Sequence, residues 1–343
     1  MKVSRVLIRE IFSKYELGTP YRIFSFSEIR NGLFNLLERI KLKDDNSVIF
    51  YENPDKLFQT AFLIRNEKIK AYNNEPIDNI IENIECMPWD FISDLSSKIN
   101  DDIEIFVKKV KWINKFKIKS KSIEIIGKSK NLYIHQDSSI YPHVVFDVSS
   151  GPIVVDKNVK ISPFSFLEGP LYIGANTQID NARITGGCII GTNCRIGGEI
   201  ENSIICDFSN KHHEGFLGHS FIGHWVNIGA LATTSDLKNN YGLVKLNIND
   251  SHINTGTIKF GSILGDFVKV GIGTMLNTGT VIDIGSNIVN SRVNGYIKPF
   301  TWADGISRYR LDKFINDTKK IMARRNQNLS TSMEDIIKNI YEQ

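Results

Sequence analysis

From about residue 150 onward an aliphatic side chain recurs every six positions, at Val155, Ile161, Leu167, Ile173 and Ile179. The phase slips by one and resumes at Ile184, Ile190 and Ile196. It returns at Ile222 and Ile228, then runs through Ile258, Leu264, Val270, Leu276, Ile282 and Ile288. Glycine often follows the aliphatic residue, as in Ile173-Gly, Ile190-Gly and Ile228-Gly. This pattern predicts a parallel β-helix in which each hexad is a short strand and a tight corner, with about three hexads to a coil. The aliphatic residues point inward and stack on counterparts about 4.8 Å away. Glycine opens corner conformations that other residues resist.

Two stretches break the repeat. Asp207–Gly215 inserts Lys211, His212, His213 and Glu214 into a mostly uncharged scaffold, and Thr233–Thr257 contains Lys238-Asn-Asn-Tyr-Gly. Insertions in a solenoid leave the coils as loops, often on the binding face. The polar cluster is therefore where chemistry is expected. A histidine there suits a general base, because its imidazole titrates near working pH.

Residues 1–130 show no short period. Ser25-Phe-Ser-Glu28 reads as a capping box ahead of Ile29, Leu33, Leu36, Leu37 and Ile40 at helical spacing. Ser47–Tyr51 and Thr60–Ile64 suit strands, and Pro88 opens a second helix in the turn where its missing N–H costs least. The lysine-rich stretch Lys108–Lys121 reads as a solvated linker. No Gly-x-Gly-x-x-Gly or Gly-x-x-x-x-Gly-Lys-[Ser/Thr] is present, so the usual phosphate cradle is missing. After the solenoid, Leu311, Phe314, Ile315, Thr318, Ile321 and Met322 form one helical face. Thr331-Ser-Met-Glu334 caps a last helix. Both are expected to pack on the solenoid and shield its end. The expected division is an α/β unit over 1–130, a β-helix over 131–303 with its inserted loop 233–257, and C-terminal helices over 304–343.

Composition narrows the field modestly. Apolar residues make up 41% of the 343 and charged residues 23%, ordinary for a globular protein. The net charge of +4 gives no case for a nucleic-acid partner, and no run is long enough for a membrane span. With no apolar leader at the start, a cytoplasmic location is the expectation. Four cysteines form no Cys-x-x-Cys pair. Cys188, Cys194 and Cys206 fall on the repeat and read as interior thiols.

Particular residues then carry a resemblance. Ser209-Asn-Lys-His-His-Glu-Gly-Phe-Leu-Gly, Val226-Asn-Ile-Gly-Ala, Asn239-Asn-Tyr-Gly and the run from Leu264 to Thr274 resemble the acetyltransferase half of the bifunctional N-acetylglucosamine-1-phosphate uridyltransferase / glucosamine-1-phosphate acetyltransferase family. Gly151-Pro-Ile-Val, Glu168-Gly-Pro-Leu-Tyr-Ile-Gly and Pro299-Phe-Thr-Trp are similar to its sugar nucleotidyltransferase-like sub-family, whose N-terminal domain is a reduced nucleotidyltransferase. The resemblance covers about residues 145–325 well and implies a left-handed β-helix, a homotrimer, and acetyl-CoA as co-substrate for an amino-sugar phosphate. By position it makes His213 the catalytic base and places Asn227 at the acetyl-transfer site. It puts Arg183, Glu199, Lys211, Phe216, Asn240, Tyr241 and Lys245 around the sugar phosphate. Ala230, Ile272, Arg308 and Arg310 fall along the coenzyme channel. Phe216 stands where the family has a sugar-contacting tyrosine, and the family's phosphate lysine is replaced near Glu201–Asn202. The N-terminal unit lacks the glycine-rich, arginine-bearing loop of an active nucleotidyltransferase, so no uridyl transfer is expected.

Two other readings stay open. A trimeric sugar-phosphate-binding or scaffold protein would keep the fold without turnover. A zinc-dependent, carbonic anhydrase-like enzyme would use His213, His219 and His224, although His224 stands in a different register from that family's histidine pair.

Overall fold

The computed structural model describes residues 46–51, 60–65, 88–107, 122–248, 251–303, 306–329 and 331–342. The expected helix behind Ser25, the lysine-rich linker and Cys86 lie outside them. Asn46–Tyr51 and Thr60–Arg65 pair antiparallel, as the two apolar runs suggested. The helix expected at Pro88 is two segments, α1 (Pro88–Ser93) and α2 (Leu95–Val107).

The six-residue period becomes a parallel solenoid whose strands begin at Glu124. One face is a nine-stranded parallel sheet. Its inward column reads Ile134, Val155, Ile173, Ile190, Ile205, Ile222, Leu264, Ile282 and Ile297, in register from coil to coil. A second face stacks Ile161, Ile179, Ile196, Lys211, Ile228, Val270 and Ile288. The third carries Leu167, Ile184, Ile200 and Leu217, then Leu276 and Val293. These aliphatic side chains form one continuous core, each worth about 1.5–3 kcal/mol when fully removed from water. Cys188, Cys194 and Cys206 are buried in or against it, and burial pushes their thiols up.

The sequence period misplaces one residue. Ile258 is half exposed and stands outside the core, so the repeat resumes only at Leu264. Residues before it belong to the insertion, which folds as an antiparallel hairpin of Lys245–Ile248 on Ser251–Asn254. Together with α2, this hairpin contacts the outer side of the nine-stranded sheet. That side is accordingly apolar too: Val154, Tyr172, Ile189, Ile204, Phe221, Ile263 and Val281 are buried.

One corner of the coils requires the left-handed backbone region. Asparagine occupies it at 158, 176 and 193, and aromatics take over at Phe208, Trp225, Phe267 and Phe300. Asparagine reaches this region at little cost, whereas bulky residues there must be over-determined by their surroundings. Their compensation is stacking. Phe208 and Trp225 lie parallel at 4.2 Å, and Phe314 of the C-terminal helix α3 (Leu311–Ala323) packs edge-on against Phe267 and Phe300. The last helix, α4 (Thr331–Glu342), joins the same cluster through Met333 and Ile337. Both helices pack on the solenoid through their apolar faces, as expected, but along the aromatic corner of several coils rather than over its end, with Arg325 reaching Asn193 and Asn210.

Candidate active site

The polar stretch begins with a residue facing the wrong way for its chemistry. Lys211 pairs with Ile196 on the preceding coil and occupies an inward, aliphatic position of the ladder. Its side chain is 1% exposed. The ammonium donates to the carbonyl of Gly197 at 3.1 Å and to the carbonyl of His213. Desolvation pulls the Lys211 ammonium down to about 8, with the Glu214 carboxylate opposing. The expectation that Lys211 holds a substrate phosphate does not fit this burial.

From Lys211 the chain turns outward over two glycines. A Cβ on Gly197 would lie 2.1 Å from the His212 carbonyl. One on Gly198, at φ +71°, would sit 2.8 Å from the His213 carbonyl and 2.9 Å from the Lys211 ammonium. The Gly197-Gly198 pair is therefore the platform on which the histidine turn rests. From the same coil Glu199 N–H donates to the Gly215 carbonyl at 3.2 Å, and from the following coil Leu231 N–H donates to the Glu214 carbonyl at 2.9 Å.

His212 reaches back across the Gly197 coil. Its Nε2 lies 2.8 Å from Asp180 Oδ2, and the other oxygen of Asp180 accepts the hydroxyl of Ser162. Burial alone would raise the Asp180 carboxyl. Hydrogen bonds from Ser162 and His212, with the charges of His212 and Arg195, outweigh that and hold it below the ordinary carboxylate value. His213 is exposed, its ring centroid 5.0 Å from that of His212. Its ring nitrogens have no hydrogen-bond partner among the described residues. The turn therefore presents one anchored imidazole and one open to an incoming group.

The remaining predicted residues fall into separate places. Arg183 pairs with Glu199 at 2.5 Å, and Glu199 stands beside Phe216 in register. Asn227 is exposed on a polar ladder: its side-chain oxygen accepts a 3.3 Å hydrogen bond from the Asn210 amide, whose Oδ1 accepts from Arg325 of the C-terminal region at 3.0 Å. Ala230 and Ile272 meet at neighbouring corners, joined by the Gly273 N–H to Ala230 carbonyl bond of 2.8 Å. Ile272 is 81% exposed, and Leu231, next to Ala230 in the chain, is also exposed. Arg308 lies 3.9 Å above the Tyr341 ring, and Arg310 pairs with Asp312 at 2.6 Å, so both arginines already hold intrachain partners. Tyr241 is exposed at the loop tip and Lys245 on the hairpin. Asn240 lines a cleft of about 610 Å³ between the insertion and later coils, together with Lys238, Asn277, Arg292 and Asn294. Among the described residues none that lines this cleft is acidic.

Sequence reading missed Asp180 and Asp236. Asp180 follows Ile179 in the ladder, so register alone would place it in the column of His212, once Lys211 is accepted as an inward residue. Asp236 binds His219 Nδ1 at 2.7 Å, with both side chains 12% exposed. Burial raises its carboxyl, but the His219 hydrogen bond and the charges of His219 and Lys259 bring it below the usual range. His219 is thereby committed to Asp236. Among the described residues no group of His, Cys, Asp and Glu within one chain is arranged to hold a metal ion; the zinc reading draws its histidines from two subunits, and of its three residues His219 is the one already paired with a carboxylate.

The architecture and this turn define the class: a hexapeptide-repeat parallel β-helix with a histidine-bearing corner; the break expected at Asp207–Gly215 is a regular six-residue step from Lys211 to Leu217. Among known proteins, the chain is similar to the bifunctional sugar-1-phosphate nucleotidylyltransferase/acetyltransferase of Sulfurisphaera tokodaii, 23% identical over 241 residues, 61% of this chain and 60% of the relative. It is 34% identical to the bifunctional protein GlmU of Chromobacterium violaceum over 138 residues, 38% of this chain and 26% of that protein. For GlmU of Bartonella bacilliformis the figures are 28% over 194 residues, 54% and 41%. The chain thus spans at most about three-fifths of these relatives' length. A crystal structure of the Bacillus cereus N-acyltransferase AntD with dTDP and coenzyme A aligns with 52% of this chain and 77% of its own, at 16% identity and a TM-score of 0.16. No protein-family model matches.

Proposed function

We propose that the chain is an acetyl-CoA-dependent N-acyltransferase for an amino-sugar phosphate, with His213 as general base. The observation that carries this reading is the exposed His213 imidazole on a turn fixed from inside by Lys211 and from outside by the His212–Asp180 pair. Its similarity to sugar-1-phosphate nucleotidylyltransferase/acetyltransferases supports the same chemistry. His213 takes the proton from the acceptor amine as its nitrogen attacks the thioester carbonyl. The C–N bond forms, the C–S bond breaks, and the coenzyme thiolate leaves and takes up a proton. A positioned base of this kind is worth roughly 10²–10⁴ in rate. Asn227 and backbone N–H groups orient the thioester carbonyl. Ala230 and Ile272 offer an apolar corner to the pantetheine arm.

The phosphate needs cations, and Arg183 is already paired while Lys211 is buried. Lys238 and Arg292, facing the cleft beside Asn240, are the cations that suit it. In this reading the protein works as a cytoplasmic homotrimer with each site completed by a neighbouring subunit, and residues 1–130 carry no uridyl transfer. The test is thiol release from acetyl-CoA with glucosamine-1-phosphate and other amino-sugar phosphates. His213→Ala is expected to lose about 100-fold or more in kcat. Turnover untouched by that substitution removes His213 from the chemistry. The second reading, a sugar-phosphate-binding protein without turnover, is favoured by Phe216 and by the Arg183–Glu199 pair. It predicts saturable binding of glucosamine-1-phosphate with no thiol release.

A further inference from the structure

A lysine at an inward position of an aliphatic ladder is costly, and the ladder around it shows no general need for one. Ile196 below and Ile228 above fill the same position with hydrocarbon. What distinguishes this place is a mismatch between two coils: Lys211 and Leu217 keep the six-residue interval, whereas Ile196 and Ile200 below them are only four apart. The short Gly197-Gly198 corner and the longer His212–Gly215 corner therefore do not match residue for residue, and carbonyls of both are left within reach of the interior. The Lys211 ammonium meets two of them, at Gly197 and His213. One belongs to the platform and the other to the proposed base itself. We infer that Lys211 is a positioning residue, an internal brace that sets the backbone of the His212–Gly215 turn and hence where the His213 ring stands.

This inference rests on the proposed role of His213, and a brace differs from a structural filler in what its loss should do. Methionine is close to lysine in length, fills the space with apolar atoms and removes both donors. If Lys211 merely fills the core, Lys211→Met leaves the turn and catalysis as they were. If it braces the turn, Lys211→Met folds yet releases the segment held by Leu231 N–H and Glu199 N–H. Catalysis then falls through geometry, by on the order of 100-fold in kcat, the usual penalty for a misplacement of about 1 Å. The KM for acetyl-CoA should stay within about twofold.

The experiment compares amide hydrogen exchange in wild type and Lys211→Met, alongside steady-state thiol release with acetyl-CoA and glucosamine-1-phosphate. Faster exchange at Glu199 and Leu231, unchanged exchange at Gly191 and Gly265 in the opposite sheet, and a fall in kcat at constant KM would establish the brace. Unchanged exchange at Glu199 and Leu231 would overturn it, whatever the kinetics. Faster exchange with undiminished kcat would overturn the positioning role and show that the turn does not govern the chemistry. Should wild type turn over no amino sugar, the proposed function fails, while the exchange comparison still decides whether Lys211 holds the turn.

Discussion

Substituting Lys211 by methionine also makes a quantitative prediction about stability. An unfolded lysine keeps its proton until about pH 10.4, whereas burial brings the folded Lys211 down to about 8. Between those values the unfolded chain binds more protons than the folded one, so stability rises with pH across that window. Below pH 8 the folded protein bears the full cost of a buried ammonium, about 3 kcal/mol from the size of the fall. By pH 9.5 the folded amine is neutral and the remaining cost is about 1 kcal/mol, from the roughly one-unit gap to the unfolded value. The wild type should therefore gain about 2 kcal/mol between pH 7 and 9.5 from this group alone. Methionine removes the charge and also two hydrogen bonds to carbonyls, each worth about 1 kcal/mol. At pH 7 the variant should be about 1 kcal/mol more stable than the wild type, and at pH 9.5 it should be slightly less stable. Urea titrations of both proteins at the two pH values measure this. Lys269, also held down to about 8, is common to both and cancels in the difference. Stability curves that run parallel from pH 7 to 9.5 would refute the reasoning, because they would mean that Lys211 is solvated in the folded state.

Three further outcomes follow from two substitutions in the site. Asp180→Asn keeps an acceptor near His212 but removes the charge that orients it, so kcat should fall by about tenfold or more with little change in KM. Because its folded carboxyl lies below the ordinary value, Asp180 stabilises the protein above about pH 4. That advantage disappears as pH falls through the lowered value, so wild type should lose stability relative to Asp180→Asn on acidification. Arg292→Gln in the insertion cleft should raise the KM for glucosamine-1-phosphate by on the order of tenfold, as expected for one charge-assisted hydrogen bond. The KM for unphosphorylated glucosamine should not change; an equal effect on both sugars would show that the cleft does not hold the phosphate.

The inherent period of the chain was enough to determine the solenoid, because an inward hydrocarbon every sixth residue can be buried only by stacking coils on one another. It misled about where the regularity fails: Ile205, Lys211 and Leu217 keep the six-residue interval with a lysine in place of an aliphatic residue, and the shortened corner lies one coil earlier, between Ile196 and Ile200. The family-like turn and the helical faces of Leu311–Met322 and the last helix were legible: each depends on residues close together in the chain. Tertiary structure alone decided the partners of those polar groups. Lys211 reads as a surface cation until the stacking places it beneath Ile228, because charge suggests exposure and only register reveals an inward position. Asp180 stands 32 residues before His212 and meets it only because Gly197, between them in the stack, has no side chain. Arg183 looked free for a phosphate until Glu199, one coil away, was found paired with it. Contacts between coils follow from accumulated slips in the repeat, a residue or two at each corner, and those slips are set by packing around the whole coil.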